Sequence, residues 1–107
     1  MTANAAEPVI TAPISAADVR QIRKIVASVS KAPIVGIEGD LTKRKVPGAF
    51  ARNMYFTADG RPVWTYERAD VVWAQTALTP QAVMMYKLRK SDRGWKIIEK
   101  RYAEDRP

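Results

Sequence analysis

Between Ile14 and Pro33 the apolar residues fall three and four apart. Val19, Ile22, Ile25, Val26 and Val29 form one stripe, and Arg20, Arg23 and Lys24 lie away from it. That is the period of an amphipathic helix, predicted over about residues 16–30. Ser15 followed by Asp18 resembles a capping box, with Asp where Glu is commoner, and Pro33 closes the element. Past Pro33 the period shortens to two. PIVGIEGDL, 33–41, reads as a strand, and TKRKVPGAF, 42–50, as a loop with Pro-Gly turn chemistry.

Two hairpins follow. In FARNMYFTADGRPVWTYER, Asp59-Gly60 suits a two-residue turn between β-rich runs. That register sets Phe56 against Val63, Met54 against Thr65 and Arg52 against Glu67, and it gathers Tyr55, Trp64 and Tyr66 on the opposite face. ADVVWAQTAL, 69–78, continues this strand or begins another, with Arg68-Ala69-Asp70 as a bulge or a turn. AVMMYKLRK and WKIIEKRYA form the last hairpin around Ser91-Asp92-Arg93-Gly94. A four-residue connection pairs Lys90 with Trp95 and Leu88 with Ile97. One face then carries Met84, Tyr86, Leu88, Trp95 and Ile97. The other carries Val83, Met85, Lys87, Arg89, Lys96, Ile98, Lys100 and Tyr102.

The pattern predicts an α+β fold, with one N-terminal amphipathic helix packed on a curved antiparallel sheet of four to five strands. Residues 15–103 form a single domain. Residues 1–14, Ala- and Pro-rich without a period, read as a flexible leader, and 104–107 as a frayed tail.

Composition narrows the chemistry. The chain has 107 residues, enough for one core, and neither cysteine nor histidine. Disulfides, thiolate metal sites and Ser-His-Asp or Cys-His machinery are therefore excluded. Acidic residues are scattered, so no hard-metal cage is expected, and no cofactor is implied. Gly36 and Gly39 lack the spacing of a phosphate loop. No apolar run is long enough for a transmembrane helix. The N-terminus lacks the basic and apolar regions of an intact signal peptide, which fits a cytoplasmic protein or an exported mature chain with an added Met1.

The formal charge of +7 favours anionic partners over cationic ones. Residues 87–101 hold seven basic and two acidic side chains. Lys87, Arg89, Lys96 and Lys100, with Tyr102, are the candidate surface for a polyanion or protein partner; the alternative is a solvated face on which long basic stems cover Val83 and Ile98. Lys43-Arg44-Lys45 is a solvated loop or a helper to such a site. Tyr55, Trp64 and Tyr66 are core or the lining of a ligand pocket. Asp70, with Tyr66 or Tyr55, is the one candidate for proton transfer in such a pocket; Glu67 reads as the ion-pair partner of Arg52.

A helix followed by an antiparallel sheet that closes on YKLRKSDRGWKI resembles the cystatin-like or NTF2-like superfamily. The matching letters are Tyr86 to Leu88, the Asp92 to Gly94 turn, and Trp95 to Ile98. The resemblance implies a helix-on-sheet fold in which dimerisation through the sheet is common. The chain lacks the additional helices of the fuller plan, so the characteristic pocket is expected to be shallow. No catalytic residue of the family maps onto it. The expected function is a small basic non-enzymatic binding or assembly module, homodimeric, that contacts a protein or polyanion. The alternatives are nucleic-acid binding through the last hairpin, and a pocket enzyme of isomerase or dehydratase type on an apolar substrate.

Overall fold

Helix α1, Ala16–Ala27, starts where its cap predicts it and ends three residues earlier than expected, leaving Val29 beyond it and exposed. A computed structural model describes residues 7–104 of the chain. Ser15 accepts from the Asp18 backbone N–H, and Asp18 accepts in return from the Ser15 N–H, closing the capping box. Asp18 also binds the sheet: it accepts from Lys90 Nζ at 2.8 Å and from Trp95 Nε1 at 3.0 Å. The helix start is thereby fixed to the last hairpin. Ser15→Ala removes half of the cap and is expected to lower unfolding free energy by about 1 kcal/mol, readable from a urea melt; no change would deny the cap an energetic role.

Among the described residues six strands accompany the helix: β1 Val9–Ile10, β2 Ile34–Thr42, β3 Ala49–Phe56, β4 Pro62–Thr79, β5 Ala82–Ser91 and β6 Gly94–Glu104. They form one sheet ordered β1-β2-β4-β5-β6, with β3 paired to β4. β1 runs parallel to β2, and every other pairing is antiparallel. This corrects the expected fold class. The described chain is mostly strand, in a six-stranded mixed sheet with a single short helix, rather than a helix on four to five antiparallel strands. The added strand comes from the segment read as leader. Val9 pairs with Gly36 and Ile10 with Ile37, and Ala12 and Ile14 pack against the core. A two-residue strand is too short to show a period. Residues 1–6 of the expected leader, and 105–107 of the expected tail, lie outside the described residues.

β4 organises the sheet. Tyr66 and Glu67 pair with Thr42 and Leu41 of β2 and with Ala51 and Phe50 of β3. Val72, Trp73, Ala74, Gln75 and Thr76 pair with β2 and with β5. β3 and β5 therefore follow one another along the same edge of β4, and β2 runs along the other. Between Gly39 and Leu41 the β2 register jumps, so that only Asp40 faces residues 68–71 of β4. The ambiguous Arg68-Ala69-Asp70 is this bulge, inside one unbroken strand.

The core lies between α1 and the second half of the sheet. Ile22 and Val26 meet Ile37, Val72, Ala74, Tyr86, Leu88 and Trp95. Each large aliphatic side chain buried here contributes roughly 1.5–3 kcal/mol. Thr76, fully buried, donates its hydroxyl to the Met84 carbonyl at 2.9 Å. The expected face of Met84, Tyr86, Leu88, Trp95 and Ile97 is the one turned to the helix. Its predicted pairs, Lys90 with Trp95 and Leu88 with Ile97, are present. The connection is tighter than expected, because Ser91 pairs with Gly94 and Asp92-Arg93 make the turn. Gly94 has φ +99°, and a Cβ there would lie 2.7 Å from Gln21 Nε2.

Candidate functional site

The first half of β4 and all of β3 leave the core as a two-stranded arm. In most strands one face is covered. In β3 every residue from Phe50 to Phe56 is exposed. The arm is closed at its tip by Thr57 and Arg61: the Thr57 N–H donates to the Arg61 carbonyl at 2.9 Å, and Gly60 takes φ +83°. The Thr57 hydroxyl donates to Asp59, and Arg61 is ion-paired with Asp59 at 2.9 Å. This connection is longer than the two-residue turn expected at Asp59-Gly60, and it shifts the register by one residue. Phe56 faces Pro62, Tyr55 faces Val63, and Met54 faces Trp64.

That shift, with a bulge at Arg52, redistributes the aromatics. Residues opposite one another share a face. Met54, Phe56, Trp64 and Tyr66 fall on one side of the arm; Phe50, Tyr55 and Val63 fall on the other, with Leu41. The expected grouping of Tyr55 with Trp64 and Tyr66 is therefore corrected. Leu41, Phe50, Met54, Tyr55, Phe56 and Trp64 are 43 to 64% exposed.

At the root of the arm one polar contact is buried. Glu67 is 6% exposed and accepts from Arg52 Nη1 at 3.1 Å. Its carboxylate lies over Gly39, where a Cβ would overlap it. The glycine therefore makes room for the ion pair, and the pair seats β3 against β4. The Arg52–Glu67 contact was legible in the sequence; the need for Gly39 was not.

The other candidates are distributed. Asp70 sits in the β4 bulge with both carboxylate oxygens on Arg68, at 2.8 and 2.9 Å. The Arg68 guanidinium holds its carboxyl below the usual carboxylate range despite partial burial. A general acid or base near neutral pH needs the opposite shift. The basic face of the last hairpin is divided by a further bulge. Lys87 pairs with Glu99 while Leu88 pairs with Ile97, so Ile98 has no partner in the register. Lys100 and Tyr102, opposite Tyr86 and Met84, move to the face that carries the helix. Lys87, Arg89 and Lys96 remain on the outer face with Glu99 and Arg101 between β5 and β6. The expected row of Lys87, Arg89, Lys96, Lys100 and Tyr102 is thus broken.

On the outer face, Trp73 lies between two cations, Lys87 Nζ at 5.5 Å and Arg101 Cζ at 5.1 Å from the ring centre. Its indole N–H donates to Asp40 at 3.1 Å. Glu38, Asp40, Met85, Lys87 and Arg101 line a concavity of about 350 Å³ around it. Each of these charges except Glu38 has an ionic or cation–π partner, and Glu38 accepts from Gln75. Among the described residues there is no cluster of His, Cys, Asp and Glu able to hold a metal ion, and no helix long and apolar enough to cross a membrane. Compared with known proteins, the chain matches no family model, no curated protein and no solved structure.

Proposed function

We propose that this protein is a binding and assembly module whose working surface is the β3–β4 arm, and that its partner there is a protein. One observation carries this reading: large apolar side chains stand open on both faces of a ribbon that no other element among the described residues covers. An isolated two-stranded hairpin is marginal in water, and an apolar one favours cover. The arm is electrically balanced from residue 49 to 67, with Arg52 and Arg61 offset by Glu67 and Asp59 in direct ion pairs. A polyanion gains little from such a surface, whereas a protein interface with an apolar centre suits it. The broken basic row on the last hairpin weakens the polyanion alternative further. The helix laid on a largely antiparallel sheet supports the proposed kinship with the cystatin-like group.

The test is site-specific photo-crosslinking in cells that produce the protein, with the photoreactive side chain at Phe56 or at Lys96. Adducts to a protein chain are expected from Phe56 and not from Lys96. Absence of adducts from Phe56, or equal adducts from both positions, would overturn the proposal.

A further inference from the structure

Helix α1 stops at Ala27, and the face of β5 and β6 that carries it runs on past its end. Val29, Tyr86, Ile97, Ile98, Glu99 and Lys100 line a groove of about 430 Å³ there. The β6 bulge makes this groove. Lys87 pairs with Glu99 and Leu88 with Ile97, so Ile98 is the extra residue. Strict alternation would send it to the opposite face. The bulge instead sets it in the groove with Ile97 and brings Lys100 opposite Tyr86.

Two polar groups in the groove are unclaimed. Tyr86 is only 8% exposed, yet its hydroxyl has no hydrogen-bond partner among the described residues. A phenol this deep normally has one. Among the described residues no sealed side-chain nitrogen or oxygen lacks a partner, so the hydroxyl is not shut inside the core; it opens to the groove that Tyr86 lines. Lys100, directly across from it, has no ionic partner among the described residues either. The competing charges nearby are occupied. Glu99 is held by Arg101 at 2.9 Å. The last helix carbonyls, of Lys24, Ile25 and Val26, accept from the N–H groups of Ser28, Val29 and Ser30. Two free donors, one of them charged, therefore stand beside three branched aliphatic side chains.

We infer that this groove binds a small amphiphilic carboxylate, which accepts from the Tyr86 hydroxyl and from Lys100 Nζ and lays its hydrocarbon against Val29, Ile97 and Ile98. The chemistry of the lining selects that class. A cation would meet the Lys100 ammonium. A neutral apolar molecule would displace water from both donors and give them nothing in return. An inorganic anion would leave the aliphatic wall unused. A carboxylate with an apolar body satisfies both halves, through charge-assisted hydrogen bonds at one end and apolar contact along the rest. The volume falls near the lower end of the roughly 300–1,000 Å³ of ligand sites, which suits a small molecule. The groove shares no residue with the β3–β4 arm, so this inference stands or falls independently of the docking surface proposed above.

Octanoate is the probe, followed by calorimetric titration and by the amide signals of isotope-labelled protein. It should bind with a Kd of about 1 mM or tighter. The signals of Val29, Ile97 and Ile98 should move, and those of residues 50–56 should stay. Octanamide, neutral and of equal length, and acetate, which lacks the chain, should each bind at least about tenfold more weakly. Tyr86→Phe and Lys100→Met should each weaken octanoate about tenfold. Tyr86→Phe should keep the wild-type urea midpoint, because the hydroxyl holds nothing in the free protein. Lys96→Met, which removes a charge from the outer face, should bind octanoate as the wild type does. Phenylpropanoate presents the same two parts on an aromatic body, and whichever acid binds more tightly shows which body the aliphatic wall prefers. No binding at about 10 mM octanoate, equal affinity for octanoate and octanamide, shifts confined to the arm, a lowered urea midpoint in Tyr86→Phe, or an affinity indifferent to both Tyr86→Phe and Lys100→Met would overturn the inference.

Discussion

Asp18→Ala is expected to lower the unfolding free energy by about 3 kcal/mol, measured by urea denaturation at neutral pH. The carboxylate performs three tasks at once: it accepts from the Ser15 N–H, from Lys90 and from Trp95. Loss of the cap costs about 1 kcal/mol, and the two charge-assisted bonds to the hairpin supply the rest. Removal also leaves the indole N–H of buried Trp95 without its acceptor. Burial alone would push the Asp18 carboxyl up. The hydrogen bonds from Lys90, Trp95 and Ser15 outweigh it and hold the group at about 2, below the ordinary 3.8 of an aspartate. A carboxyl depressed in the folded state stabilises the fold above its unfolded value, and that contribution disappears as pH falls from 3.8 through about 2. The difference corresponds to about 2 kcal/mol. Wild-type stability should therefore fall between pH 4 and pH 2 by about this amount more than that of Asp18→Asn. Parallel acid limbs for the two proteins would refute the assignment.

Gly39→Ala is the second large effect, expected at about 3 kcal/mol. The new methyl overlaps the Glu67 carboxylate and Cγ, in a site where that side chain is buried and held by Arg52. Overpacking of this kind costs about 1–3 kcal/mol, and expulsion of Glu67 breaks an ion pair whose carboxylate is buried and whose guanidinium is exposed. The two residues act as one unit, so the effects should not add. In a Glu67→Ala background, Gly39→Ala should cost less than about 1 kcal/mol. Denaturant melts of the four proteins close the cycle, and strict additivity would show that the glycine serves something other than the carboxylate.

What the chain's pattern revealed, and what it hid, divides along physical lines. The start of helix α1, its Ser15–Asp18 box and the pairing of Lys90 with Trp95 rest on local periodicity and turn chemistry, and these appear where expected. Bulges do not announce themselves in period-two patterns. The longer connection at the tip moved Tyr55, the bulge at Arg52 changed the sides of Phe50 and Ala51, the one at 68–71 lies within the single strand β4, and the one at Ile98 separated Lys100 and Tyr102 from Lys87, Arg89 and Lys96. β1 was hidden because two residues carry no alternation, and its place is set by the free edge of β2. The exposure of Phe50, Phe56 and Trp64 was the least legible feature. Alternating aromatics read as a buried face, and nothing local records that no element among the described residues arrives to bury it.

β4 serves both the arm and the core, eighteen residues without a chain break or a turn between them. Its Tyr66 and Val72 belong to different neighbourhoods but to one backbone, with the Arg68–Asp70 clamp at the point where they join. The arm is mechanically a lever with its fulcrum inside the sheet. A pull along the arm loads the ladders at Val72 and Ala74 lengthwise, so many hydrogen bonds share the force at once. A sideways push on the tip meets only the pairs nearest the fulcrum. Whatever holds the arm can thus drag on this protein far harder than it can bend it, and tension along β4 is the direction in which the molecule transmits force without coming apart.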